Sequence, residues 1–241
     1  MIPIATKQYW YASAYMGLLF LMPWLNKFLR GCSKTECLRL FKSMILFIVY
    51  VTCANRVGDC FTLNGGYSLL WLIILYLIGA VTKKCNLAKD LKIKKLIVGI
   101  IGCILLNWSA EVFIPEYTIS ISNMLNNYTS ITVSYVAFAF VIIFLKLKLS
   151  RKKERIIAYF SPAVFGVYLI HTQPVIWKYL MKNAFTWVAD FNVVIIPFVI
   201  LMCAISVFCI CIFVEKIRLL IFSFLKIDEN VWKIMDNIGK R

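Results

Sequence analysis

Acidic side chains and histidine are what this chain has least of. Its 241 residues carry 11 Asp and Glu against 27 Lys and Arg, and one histidine, His171. A single imidazole leaves no cluster for a zinc site, and Cys32 and Cys37 do not have a CxxC spacing, so no metal ligand set is expected. There is no Gly-rich phosphate loop, no GxSxG elbow and no HExxH helix, which removes the common nucleotide-binding, serine-hydrolase and zinc-protease signatures. Met1-Ile-Pro-Ile-Ala-Thr lacks the charged and apolar regions of a signal peptide. Low-complexity segments and repeats are absent. No polar stretch is long enough to form a nucleic-acid-binding domain, so the net charge of +16 is not read as one.

Apolar residues fill the space those absences leave. The chain is 62% hydrophobic and 15% aromatic, with a mean hydropathy of +0.82, whereas soluble domains run at about 45–50% apolar. Nine cysteines lie mostly inside apolar runs or basic loops and read as reduced, small hydrophobes. A bilayer core of about 30 Å needs about 20 helical residues. Seven stretches meet or approach that length, at about 9–29, 40–58, 66–82, 95–114, 129–147, 160–180 and 192–214. The expected fold class is therefore all-α, a polytopic transmembrane helix bundle with about seven spans.

Loop charge supports the assignment. Residues 27–42, 83–95 and 146–155 carry net charges of +4, +5 and +5. The alternate loops are near neutral: Arg56 offsets Asp59, residues 115–128 have Glu116 alone, and Lys178 and Lys182 face Asp190. Basic and near-neutral loops in strict alternation are the positive-inside pattern. It puts the C-terminus in the cytoplasm, with residues 216–241 read as an amphipathic cytoplasmic tail. The same count puts Met1 outside, which an odd number of further upstream helices would correct.

His171 is the first site candidate. It falls near the middle of the apolar run Phe160–Trp177, where an ionisable group costs several kcal/mol unless paired or wet. Pro174 has no N–H, so the Ile170 carbonyl is expected to stand free beside the imidazole and Gln173, forming a polar notch. His171 then reads as a base, a donor, or a structural partner of a neighbouring helix. Asn107 and Glu111, four apart on one helix face, read with Arg56 and Asp59 as an acceptor pocket or as an interfacial salt bridge. Tyr67 and Trp71 read as an aromatic platform for a sugar or as belt residues. Lys83, Lys84, Arg151 and Lys152 would suit a polyphosphate, although topology and anionic lipid account for them equally.

Three segments together carry a resemblance. They are Gln8-Tyr9-Trp10-Tyr11-Ala12-Ser13-Ala14-Tyr15 leading to Leu21-Met22-Pro23-Trp24, then Gly65-Gly66-Tyr67-Ser68-Leu69-Leu70-Trp71, then Phe165-Gly166-Val167-Tyr168-Leu169-Ile170-His171. In order and content they resemble the membrane-bound acyltransferase 3 family of bacterial O-acyltransferases, over about residues 8–215. The resemblance implies about ten helices in the bacterial plasma (inner) membrane and no bound cofactor. Acyl-CoA, chiefly acetyl-CoA, would be the donor, and a hydroxyl of a cell-envelope polysaccharide or related sugar the acceptor. It makes the basic residues Lys83, Lys84, Arg151 and Lys152 expected contacts for CoA phosphates. The family's arginine–histidine pair in its first helix has no counterpart here, so residues 1–215 read as the last seven helices of ten. If the principal histidine belongs to a missing segment, the chain alone is inactive. The partners expected are the lipid bilayer, acyl-CoA and the sugar acceptor, with no nucleic acid and with a homo-oligomer left open. A transporter or flippase for a glycan or lipid-linked sugar is the alternative, and an interaction subunit a third.

Overall fold

The computed structural model describes residues 9–59, 61–113 and 124–226, and all regular structure among them is helical. Gln8, Cys60, the Glu116 loop and the tail from residue 227 lie outside the described residues. The chain divides into two compact units, Met1–Lys148 and Leu149–Arg241.

In the first unit, α1 (Trp10–Gly31) and α2 (Lys34–Ala54) are joined by two residues. The start of α2 is set by a capping box: Ser33 Oγ accepts from the Glu36 N–H at 3.3 Å while the Ser33 N–H donates to Glu36 Oε2 at 2.7 Å. This moves the helix six residues upstream of its sequence estimate. Helix α3 (Leu69–Lys84) starts late for the opposite reason. Gly66 sits at φ 98° in a 3-10 turn, and a Cβ there would come 2.7 Å from Tyr128 Cβ. Ser68 then caps α3 by accepting from the Trp71 N–H at 3.2 Å. Helices α4 (Ile93–Phe113) and α5 (Ile131–Lys146) pack as a pair, while α3 packs on both α1 and α2.

Side-chain bonds tie the two ends of this unit. At one end Asn55 Nδ2 donates to Thr129 Oγ1 at 2.9 Å, and Thr52 Oγ1 accepts from the Ile131 N–H at 2.8 Å. At the other, Lys146 Nζ donates to the Lys89 carbonyl at 3.0 Å, and Lys84 Nζ closes the end of α1 on the carbonyls of Leu29 and Cys32. The basic loops thus share one end, as their alternation requires.

Glycine lets α4 and α5 approach closely, as small residues do in membrane bundles. A Cβ on Gly99 would come within 2.6 Å of Tyr135 Cζ, a rigid ring atom. Gly99→Ala is expected to cost about 1–3 kcal/mol, measured as a lower melting temperature in detergent, and Tyr135→Ala in the same chain should recover part of it. Cys85 lies buried beside Cys37 in the loop after α3, and burial, then Cys37, pushes its thiol pKa up. Its thiolate fraction at neutral pH is correspondingly small. Maleimide is expected to modify Cys85 at least about tenfold faster in SDS than in native membranes, by mass spectrometry.

The second unit begins with a rod, Arg151–His171: α6 (Arg151–Phe160), a 3-10 turn (Ser161–Ala163) and α7 (Val164–His171). Pro174 then opens α8 (Pro174–Ile176), which runs into a π turn (Trp177–Met181). The rod and the Pro174–Asp190 segment are bent by 58° across the break. The last helix, α9 (Ile196–Phe224), opens with Pro197 in its first turn and continues through residue 215 without interruption. It packs on α7 and the turn before it through Ala163, Val167, Cys211 and Ile212.

Among the described residues, four helices are long and apolar enough to cross a membrane: Lys34–Ala54, Ile93–Phe113, Met124–Lys146 and Ile196–Phe224, or five if the bent pair is one span. The seven expected spans are thus met in part. Helix α3 has 16 residues and reaches about 24 Å. In α1 the Trp, Tyr, Asn and Lys side chains dilute an otherwise apolar run.

Candidate functional site

His171 is the last residue of α7, at the break, and it faces the stretch of α9 from Ile200 to Phe208. The expected free Ile170 carbonyl is not found. It accepts from the Gln173 N–H at 3.2 Å, because the helix closes with a tight i→i+3 bond before the proline takes effect. Gln173 serves as the cap of α8, its Oε1 accepting from the Ile176 N–H at 2.8 Å.

The imidazole is held by its own helix. Nδ1 lies 2.7 Å from the Val167 carbonyl oxygen, four residues back. A carbonyl oxygen only accepts, so in the neutral ring Nδ1 carries the proton and Nε2 is the acceptor. The Tyr168 ring meets the imidazole edge-on at 6.1 Å between centroids. His171 forms part of the wall of a cleft of about 580 Å³ between α7, the segment from Met181 to Val188, and α9.

Behind this helix stands a charge that sequence reasoning missed. Glu215 is 3% exposed, and Arg218 grips it at both oxygens, Nε to Oε2 at 2.8 Å and Nη2 to Oε1 at 2.6 Å. The carboxylate rests on Gly166, where an added Cβ would overlap it. The residue after Glu215, Lys216, donates to the Tyr159 carbonyl at 2.8 Å, with its ammonium 3.7 Å above the Tyr159 ring. The signal in the sequence was a glutamate followed three residues later by arginine at the end of an apolar run, the i,i+3 spacing of a helical ion pair.

The remaining candidates are spread over the first unit. Tyr67 is partly exposed and stacks edge-on with Trp10 at 4.3 Å and Tyr128 at 5.4 Å. Trp71 is 3% exposed and belongs to the core, so it is packing and not a platform. Asn107 Nδ2 donates to the Leu125 carbonyl at 3.5 Å, and Asn126 Nδ2 donates to Glu111 Oε1 at 2.9 Å. Arg56 is exposed in the turn after α2, while Asp59 accepts from the Leu63 N–H at 2.8 Å and from the Asn64 N–H. Lys83, Arg151 and Lys152 are exposed, whereas the Lys84 ammonium is engaged by the end of α1.

A family model described as an acyltransferase domain, acyltransferase 3, matches residues 3–215. The chain belongs to the membrane acyltransferase 3 family. Membership makes it, in general terms, a membrane acyltransferase. No curated protein and no solved structure gives a significant match. Within the matched residues of this acyltransferase, His171 is the only histidine, since the chain has one. Acyl transfer uses a base near an attacking hydroxyl, and His171 stands in the wall of the cleft.

Proposed function

We propose that this protein is an integral-membrane O-acyltransferase that moves an acyl group from acyl-CoA to a hydroxyl of a cell-envelope polysaccharide or related sugar. Acetyl is the group the family resemblance leads one to expect. The proposal includes seven spans in a bacterial plasma membrane, with the far end of α9 in the cytoplasm. The observation that carries the reading is the contact of His171 Nδ1 with the Val167 carbonyl, which in the neutral ring leaves Nε2 as the acceptor on a residue of the cleft wall. In the reaction Nε2 takes the proton of the acceptor hydroxyl as its oxygen attacks the thioester carbonyl. The new C–O ester bond forms, the C–S bond breaks, and the departing CoA thiolate receives that proton from the imidazolium. Arg151 and Lys152 would offer charge to the CoA phosphates.

The 58° break after His171 favours one other reading, a transporter for a glycan or lipid-linked sugar, since broken helices line such pathways. Membranes carrying the protein, given labelled acyl-CoA and polysaccharide, decide between them. Label in the polysaccharide that is lost with His171→Ala is the expected result. Glycan movement that persists without any acyl-CoA, with no label transferred, would overturn the enzyme reading.

A further inference from the structure

The cleft beside His171 has a composition that limits what can enter it. Among the described residues that line it, His171 is the one strong hydrogen-bonding side chain, and the others are apolar residues and the thiol of Cys203. A sugar there would leave several hydroxyls without partners, at a cost for each. Water in such a space lacks the two to four polar partners that retain it. No cation is among the described residues that line the cleft, so the phosphates of CoA have no reason to lie in it. Hydrocarbon is the chemistry that remains. At about 580 Å³ the space far exceeds an acetyl group, and its wall along α9 runs from Ile200 to Phe208, about 12 Å of helix.

We infer that this cleft binds the hydrocarbon tail of the acyl group being transferred, with the acyl carbonyl beside His171, and that the preferred group is a medium-length chain and not acetyl. The inference rests on the assignment of His171 as the base. It also explains why one imidazole stands in an apolar wall. A phospholipid tail would leave Nε2 facing hydrocarbon, whereas an acyl thioester brings the attacking hydroxyl, a donor, to that nitrogen. Each methylene buried improves binding by about fourfold, so octanoyl transfer should exceed acetyl transfer by at least about a hundredfold in kcat/KM. Ala204, on the α9 wall, has space for a larger side chain to fill.

The test uses the full chain in native membranes with acetyl-CoA, octanoyl-CoA and an octanoyl-CoA bearing a terminal diazirine. Octanoyl preferred over acetyl, with Ala204→Phe shifting that ratio at least about tenfold toward acetyl, supports the inference. So do photo-crosslinks on residues 164–171 and 196–208 that excess octanoyl-CoA suppresses. Crosslinks spread equally onto α4 and indifferent to octanoyl-CoA would mean that bilayer lipid fills the cleft, and would overturn it. Acetyl transfer that depends on His171 but ignores Ala204→Phe would also overturn it, while leaving the base assignment standing. Suppressible crosslinks in the cleft, with no transfer of any chain and no effect of His171→Ala on any readout, would support the binding site and remove the base.

Discussion

His171→Ala is expected to lower acyl transfer by about 10²–10⁴-fold, the range that a positioned general base contributes. The loss should fall on kcat, with the KM for acyl-CoA changing little, because the imidazole acts on the hydroxyl proton and not on the CoA moiety. His171→Gln separates position from chemistry. A glutamine amide can still donate to the Val167 carbonyl, which now accepts from Nδ1 at 2.7 Å, but it supplies no basic nitrogen. Activity should stay near the alanine level while the melting temperature stays near that of the parent chain. Steady-state transfer of labelled acyl groups, read beside a thermal melt in detergent, checks both parts. Full activity in His171→Gln would mean that the residue only fastens α7.

Gly166→Ala is expected to cost about 1–3 kcal/mol of stability. An added methyl at that position overlaps the Glu215 carboxylate. A glutamate tip can usually swing aside, but this one is buried and held at both oxygens by Arg218, so moving it breaks a charge pair inside the bundle. Glu215→Ala alone should cost less. It removes the buried charge, and the Arg218 side chain left behind is 46% exposed and can be solvated. The double variant Gly166→Ala with Glu215→Ala should therefore melt above the single glycine variant. A double-mutant cycle on melting temperature measures that coupling. Additive losses would show that the carboxylate is not what Gly166 accommodates.

Both predictions concern one face of α7, and the sequence revealed only half of it. The single histidine and the apolar run around it were visible, and so was the chemistry that one imidazole permits. Its place at a break was not, because residues 160–180 read as one continuous helix in the sequence. The helix in fact starts at Arg151 and stops at His171, since the charged first turns continue into the apolar run without a break and Gln173 with Pro174 starts a new segment. Lys84 and Trp71 show the same limit. A lysine in a basic loop and a tryptophan after two glycines look available in a sequence, yet one closes the end of α1 and the other fills the core.

Composition and charge alternation by themselves determined that this chain is a bundle of apolar helices with its basic loops at one end, because hydropathy and loop charge are sums over residues that need no knowledge of neighbours. Three ordered segments also sufficed for the family. Only the tertiary structure decided that Glu215 and Arg218 seat the His171 helix through Gly166, and that a hydrocarbon-lined cleft adjoins the imidazole. Contacts between residues some fifty positions apart follow from how the helices pack, and that register is fixed by which side chains are small enough to let two backbones meet.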